Sequence, residues 1–418
     1  MRSSRAFAVI ASVVVLVAAC GTSASPAPAG GGASAAPGGG ASQAPSAPPT
    51  AGPSLPTSVG QGEGALTVLA WPGYAENGST DPTVNWVKPF EDQTGCKTTV
   101  QVFGTSDEAF SLFSTNPDKF DVISASGDAS LRLVRAGYVQ PVNVDLVKNY
   151  ADIFPDLKDR PYNTVDGVHY GIPHGRGANL LMWRTDKVTP DPTTWLDMFD
   201  PSKPWFTDKK ISIYDAPIYM ADAAVVLMKT KPDLGIKNPY ALDDTQFQAV
   251  VDLLNQQKPG IGQYWTDYAK QQQAFETGDA TIGTTWQVIT NLLQAEKPPI
   301  PVKAIQPPEG ATGWSDTWMI NSKTQHLNCA YKWLDYIVSP KVNDEVAEWF
   351  GEAPGNSKAC EQSDAAKTNC DTFYAADVNY WKSVWYWQTP ETTCVDGRTD
   401  VKCKGFDEWV RAWTQIKG

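Results

Sequence analysis

From Leu66 onward, short apolar runs alternate with longer amphipathic stretches, the pattern of a parallel sheet whose strands are joined by crossover helices. Residues 66–70, 98–103 and 121–124 read as strands. Asp81-Pro82 has the side-chain cap and first-turn proline of a helix start, and that helix is predicted to run past Trp86 and Phe90 to Gly95. Thr105 with Glu108 predicts a capping box for a second helix, and a third spans 128–136 before Gly137. Further on, 211–214 and 281–285 read as strands. No internal repeat and no phosphate-cradling glycine motif interrupts this series.

In open parallel sheets, ligands bind beyond the carboxyl ends of the strands, so the residues delivered there matter most. They are Trp71 after the first strand, Ser126 and Asp128 after the third, and later Asp215 and Trp286. Each has a plain structural use as well: an Asp caps a helix or closes a turn, and a Trp seals a core edge. The stretch 312–320 is more pointed. Extended chain puts every second side chain on one face, so Trp314, Asp316 and Trp318 share one, an anion between two indoles. A cation with a hydrocarbon body suits that surface, because carboxylate pairs with the charge while ring faces attract ammonium and cover methylenes.

Composition narrows the partner. The net charge is −12, which argues against nucleic acid, since phosphates require a basic footprint. Sixteen Trp and fifteen Tyr fit either a heavy core or flat faces that grip small molecules. With 418 residues, of which about 350 follow the flexible front end, two domains are expected.

That front end carries an address. Arg2 and Arg5 precede an apolar run too short to span a membrane, so 1–19 reads as a signal peptide. Small residues then lead to Cys20, a pattern resembling the bacterial lipobox, in which the cysteine is lipidated and anchors the chain to the outer face of the cell membrane. Ala, Gly, Pro and Ser dominate up to residue 64, giving a disordered tether over 20–64 with a reach on the order of 35 to 40 Å. Six further cysteines outside the cytosol predict three disulfides. Proximity pairs Cys360 with Cys370 and Cys394 with Cys403, leaving Cys96 for Cys329. The three histidines have no metal-ligand spacing, so neither metal nor cofactor is expected.

Taken in order, Leu66 to Tyr74, Phe120-Asp121-Val122-Ile123, Ala136-Gly137-Tyr138-Val139, Gly171-Ile172-Pro173, Trp195 near Asp197, Gly278 with Trp286, Trp314-Ser315-Asp316 and Trp387-Gln388 resemble the extracellular solute-binding proteins of ABC importers, in their spermidine/putrescine-binding branch. The resemblance covers nearly all of 65–418. It implies an α/β, periplasmic-binding-protein-like fold of two lobes, each a mostly parallel sheet flanked by helices, closing on ligand in the cleft between them. Lobe 1 would comprise 65–177 plus 315–360, and lobe 2 178–314 plus 361–418. It further implies a monomeric binder, not an enzyme, that captures a polyamine and passes it to membrane permease subunits.

Trp71, Ser126, Asp215, Trp286, Trp314, Asp316 and Gln388 fall on positions that line the polyamine cleft in that family. Asp316 and Asp215 would hold ammonium groups, the indoles would cover methylenes, and Gln388 would offer an amide oxygen. Departures are Pro72 for a hydroxyl residue, Asp128 for an aromatic, Ile218 for a carboxylate and Glu352 near an expected Tyr, so Asp128 and Glu352 join the candidate acids. Arg176, near the lobe crossing, would either neutralise a neighbouring acid or recruit a ligand carboxylate. An opine, amino-acid-like or sugar ligand on the same fold is the alternative, and a secreted glycosidase, which needs two carboxylates across a cleft, is the alternative from another class.

Overall fold

A computed structural model describes residues 55–418; the expected signal segment, Cys20 and the expected tether up to residue 54 lie outside the described residues. The chain runs β1 (Ala65–Ala70), α1 (Val87–Thr94), β2 (Lys97–Val102), α2 (Ser106–Thr115), β3 (Val122–Ala125) and α3 (Gly127–Arg135). After a run of turns come β4 (Gly171–Arg184), β5 (Ile211–Tyr214), α4 (Met220–Thr230), β6 (Ile261–Trp265), β7 (Ile282–Trp286), β8 (Ala311–Asn321), α5 (Leu327–Ile337) and, at the end, α6 (Phe406–Lys417).

The strands lie in the order β2-β1-β3-β8-β4-β7-β5-β6. β2, β1 and β3 are parallel, as are β7, β5 and β6. Between these two blocks, β8 and β4 pair antiparallel with each other and with their outer neighbours, so the sheet is mixed at its centre. Two large cores result. β4 gives Ile172 to one and Leu181, Met182 and Trp183 to the other; β8 gives Trp318, Met319 and Ile320 to the first and Ala311 and Trp314 to the second. The seam therefore crosses β8 between Trp314 and Trp318, at Asp316.

Local chemistry sets most boundaries where the sequence predicts them. Thr105 Oγ1 accepts from the Glu108 backbone N–H at 3.1 Å, while the Glu108 carboxylate accepts from Gly104 rather than from Thr105, so the reciprocal half of the capping box is displaced by one residue. The first helix starts later than expected. Residues 81–86 form turns because the carbonyl of Glu76 takes the N–H groups of Trp86 and Val87, and the Trp86 indole donates to Tyr74 O at 3.1 Å. These longer-range bonds hold the chain out of helical geometry until Val87.

Pro56 and Glu63, expected in the tether, are packed against the fold. Asn143 donates to Pro56 O at 2.9 Å, and the Glu63 carboxylate accepts the N–H groups of Asn328 and Cys329, both at 2.9 Å, at the start of α5. An acid at a helix N-terminus satisfies orphan donors and meets the positive end of the dipole. All three expected disulfides form, and Cys96–Cys329 closes a sequence separation of 233 beside that contact.

Candidate functional site

Asp316 is almost wholly buried on β8, and its carboxylate is held from two sides. Ser126, at the head of α3, donates its hydroxyl to Oδ1 rather than capping its own helix, and Tyr74 places its phenol 2.6 Å from Oδ2. The same phenol lies 2.8 Å from Glu352 Oε2. His174 stands on the other side of Glu352, with Nε2 at 3.5 Å from Oε1, and its ring packs 4.4 Å from that of Tyr74. Every member is sealed from solvent.

The backbone makes this possible. Asp316 pairs with Gly175 and Thr317 with Pro173, which leaves His174 as an extra residue bulged out of β4. Its carbonyl is taken up by Gly355 N–H and Asn343 Nδ2, at 2.8 and 2.9 Å. Two residues apart on the same face, Gly175 and Gly177 provide space: a side chain at the first would run into the Glu352 carboxyl, and one at the second into the Trp314 indole.

Among the described residues no Lys or Arg pairs with Asp316 or Glu352. Burial pushes Asp316 up to about 6, against the pull of the bonds from Ser126 and Tyr74. Glu352 is raised well above the usual range by burial and then by the charge of Asp316, while burial drives His174 down to about 3, so it remains neutral. A buried acid pair without a cation is costly unless a proton or an incoming positive charge neutralises it.

An aromatic wall leads away from the acids. Tyr74 meets Phe350 at 4.6 Å, Phe350 meets Trp314 at 5.9 Å, and Trp314 meets Trp286 at 6.3 Å. Beyond Trp286 lies Tyr214, 5.6 Å away and stacked on Trp387 at 5.7 Å. A polar chain orients Trp286: its indole N–H donates to Asn179 at 3.1 Å, Asn179 to Thr312 at 2.6 Å, and Thr312 to the buried Asp222 at 2.9 Å.

A family model for bacterial extracellular solute-binding proteins matches residues 85–375, more than half of the sequence. The chain belongs to that family.

Individual relatives agree. The spermidine/putrescine-binding periplasmic protein of Escherichia coli (strain K12) is 21% identical over 322 residues, covering 74% of this chain and 87% of that protein. A putative spermidine/putrescine ABC transporter from Listeria monocytogenes superposes with a TM-score of 0.67 at 17% identity, covering 85% of this chain and 99% of that one. The binding protein MotA of A. tumefaciens B6, in complex with glucopine, superposes with a TM-score of 0.63 at 16% identity, covering 85% and 100%. These neighbours share the two-lobed fold and are named for different ligands.

Of the residues predicted for the site of this solute-binding protein, Ser126, Asp316 and Glu352 join one hydrogen-bonded group, with Trp314 and Trp286 on its aromatic wall. Asp128 lies in the first turn of α3, accepts from Ser106 at 2.8 Å, and is pushed up to about 7 by burial. Gln388 follows Trp387, whose N–H donates to Gly313 O at 2.6 Å and whose carbonyl packs against Gly127; Thr389 then donates to Asp128 O at 2.8 Å. That segment thus joins β8 to the head of α3.

The other predictions stand outside that hydrogen-bonded group. The Trp71 ring packs against Phe103 at 4.6 Å, its indole N–H buried without a partner. Trp318 faces the same way as Trp314 and Asp316 and backs the group from the core, 5.6 Å from the His174 ring, 6.3 Å from that of Tyr74 and 5.6 Å from Trp333. Asp215 is already paired, accepting from Lys417 Nζ at 2.6 Å and from the Trp413 indole at 3.1 Å. Arg176 pairs with Asp156, donates to Ala375 O at 2.7 Å and stacks 4.3 Å from Trp381, and it lines a small cavity together with Trp286 and Trp314. Sequence reasoning missed Tyr74, His174, Asn179 and Asp222; the Gly175-Arg176-Gly177 spacing is a signal of something bulky against that face.

Proposed function

We propose that this solute-binding protein captures a linear polyamine of the putrescine or spermidine kind and presents it to the permease subunits of an ABC importer, without covalent chemistry. The observation that carries this reading is the Asp316–Glu352 acid pair, sealed beneath an aromatic wall with no Lys or Arg partner among the described residues. An ammonium group is the complement of such a pair: it supplies donors and the missing positive charge, while Phe350, Trp314 and Trp286 cover methylenes. Relatives named for spermidine and putrescine support the class. Engagement of Arg176 by Asp156 leaves that guanidinium neutralised, which argues against a carboxylate-bearing solute.

The two cores support lobes over 65–177 plus 315–360 and 178–314 plus 361–418, hinged where β4 and β8 cross. A closed arrangement accounts for the burial of Asp316, and ligand enters when the lobes part. Lipidation at Cys20 would hold the monomeric protein at the outer face of the membrane, within reach of its permease.

A thermal-shift panel tests the ligand class, because a ligand that binds the folded state raises the melting temperature by mass action. Putrescine or spermidine should stabilise the protein, while sugars and neutral amino acids should not. Stabilisation by a sugar with no response to either amine would reverse the assignment.

A further inference from the structure

Asp215 stands at the carboxyl end of β5, where ligands bind in sheets of this kind, directly after the wall residue Tyr214. Its backbone N–H is fixed to Trp265 O at 2.8 Å, and Trp265 packs 5.0 Å from Trp286. Position and chemistry therefore suit it to a ligand ammonium, yet an ammonium of the protein is already there. Lys417, in the last turn of α6, places Nζ 2.6 and 2.7 Å from the two carboxylate oxygens and 5.6 Å from the Tyr264 ring. A primary amine on a four-carbon stem, bound by carboxylate and aromatic face, reproduces one end of a polyamine. By contrast, Asp316 and Glu352 have no such internal partner among the described residues.

We propose that Lys417 is a tethered occupant of a distal ammonium position and sets selectivity, so that the protein accepts a diamine and disfavours a solute whose further ammonium would have to displace it from Asp215. This rests on the amine reading of the Asp316–Glu352 site and names the solute length that site selects.

Calorimetric titration with putrescine and with spermidine tests it on the full chain and on Lys417→Met, which removes the charge but keeps most of the stem. Since that variant leaves Asp215 unpaired, Lys417→Gln is measured beside it, retaining a hydrogen-bond donor for the carboxylate. The expected result is a gain in spermidine affinity of at least tenfold relative to putrescine in both variants, abolished when Asp215→Asn is added. An unchanged ratio, or an equal change for both amines, overturns the role of Lys417 while the amine site stands. Failure of the wild-type chain to bind either amine overturns the amine reading, and this inference with it.

Discussion

Asp316 and Glu352 share one phenol: Tyr74 Oη lies 2.6 Å from an oxygen of the first and 2.8 Å from an oxygen of the second. A phenol has one proton to give, so it donates to one carboxylate and accepts from the other, which must then carry a proton itself. Glu352 is the protonated partner, being raised furthest by burial and by the charge of Asp316. The pair thus holds at most one net negative charge, and an arriving ammonium would displace a proton.

Replacing Glu352 with Gln separates binding from stability. The folded-state pKa of Glu352 lies above its unfolded value, so its contribution to stability is complete below the unfolded pKa and is lost as pH rises towards the folded one. Glu352→Gln removes that loss. Urea unfolding of the ligand-free variant at pH 8 should show a gain of more than about 1 kcal/mol, absent at pH 4, while putrescine affinity falls. A variant destabilised at pH 8 would contradict the protonated assignment.

Stability without ligand should decline between about pH 4 and 7. Burial raises Asp316 to about 6 and Asp128 and Asp222 to about 7, and Asp344 is also raised to about 7, by desolvation and its neighbouring glutamates. The folded state therefore retains protons that the unfolded chain has released. His174, lowered by burial to about 3, acts in the opposite direction below its unfolded pKa but is outnumbered. Urea midpoints across this range, with and without saturating putrescine, check it: the decline should flatten with ligand, and a midpoint that rises with pH in the free protein would disprove it.

Amine binding at pH 6 should release protons, because Asp316 is then partly protonated and burial also favours the protonated form of Glu352. Titrations in two buffers of different ionisation enthalpy measure the number released. Identical heats in both buffers would exclude Asp316 and Glu352 as the groups that meet the ammonium.

Chain entropy makes Cys96–Cys329 the most consequential cross-link, because it closes the longest loop and ties the edge after α1 to α5. Replacing both cysteines by Ser should cost about 2 to 5 kcal/mol, read from denaturant midpoints. Loss of Cys360–Cys370, with a separation of only 10, should cost less.

Much of this was legible where the determinant is local. β8 keeps its period of two, so Trp314 and Asp316 do share a face, and the strand ends at Ala125, Tyr214 and Trp286 were legible because parallel strands announce their own ends. What stayed hidden depends on contacts between distant residues. Tyr74 and Glu352 are 278 positions apart, the His174 bulge exists only through the pairing of β4 with β8, and nothing near Asp215 announces Lys417, 202 positions later. The late start of α1 has the same origin: the local preference of Asp81-Pro82 lost to hydrogen bonds from Trp86 and Val87 to Glu76. Arg176 was legible as an uneasy charge, but its partner Asp156 was set by tertiary packing.

The most direct measurement is a calorimetric titration of putrescine and spermidine into the wild-type protein and into Asp316→Asn at pH 7.5. A charge-assisted ammonium–carboxylate bond contributes roughly 1.5 to 3 kcal/mol, so saturable binding to the wild type should weaken at least tenfold in the variant, about 1.4 kcal/mol or more. Unaltered affinity in Asp316→Asn, or a wild-type protein that takes up neither amine, would contradict an ammonium site built on Asp316 and Glu352.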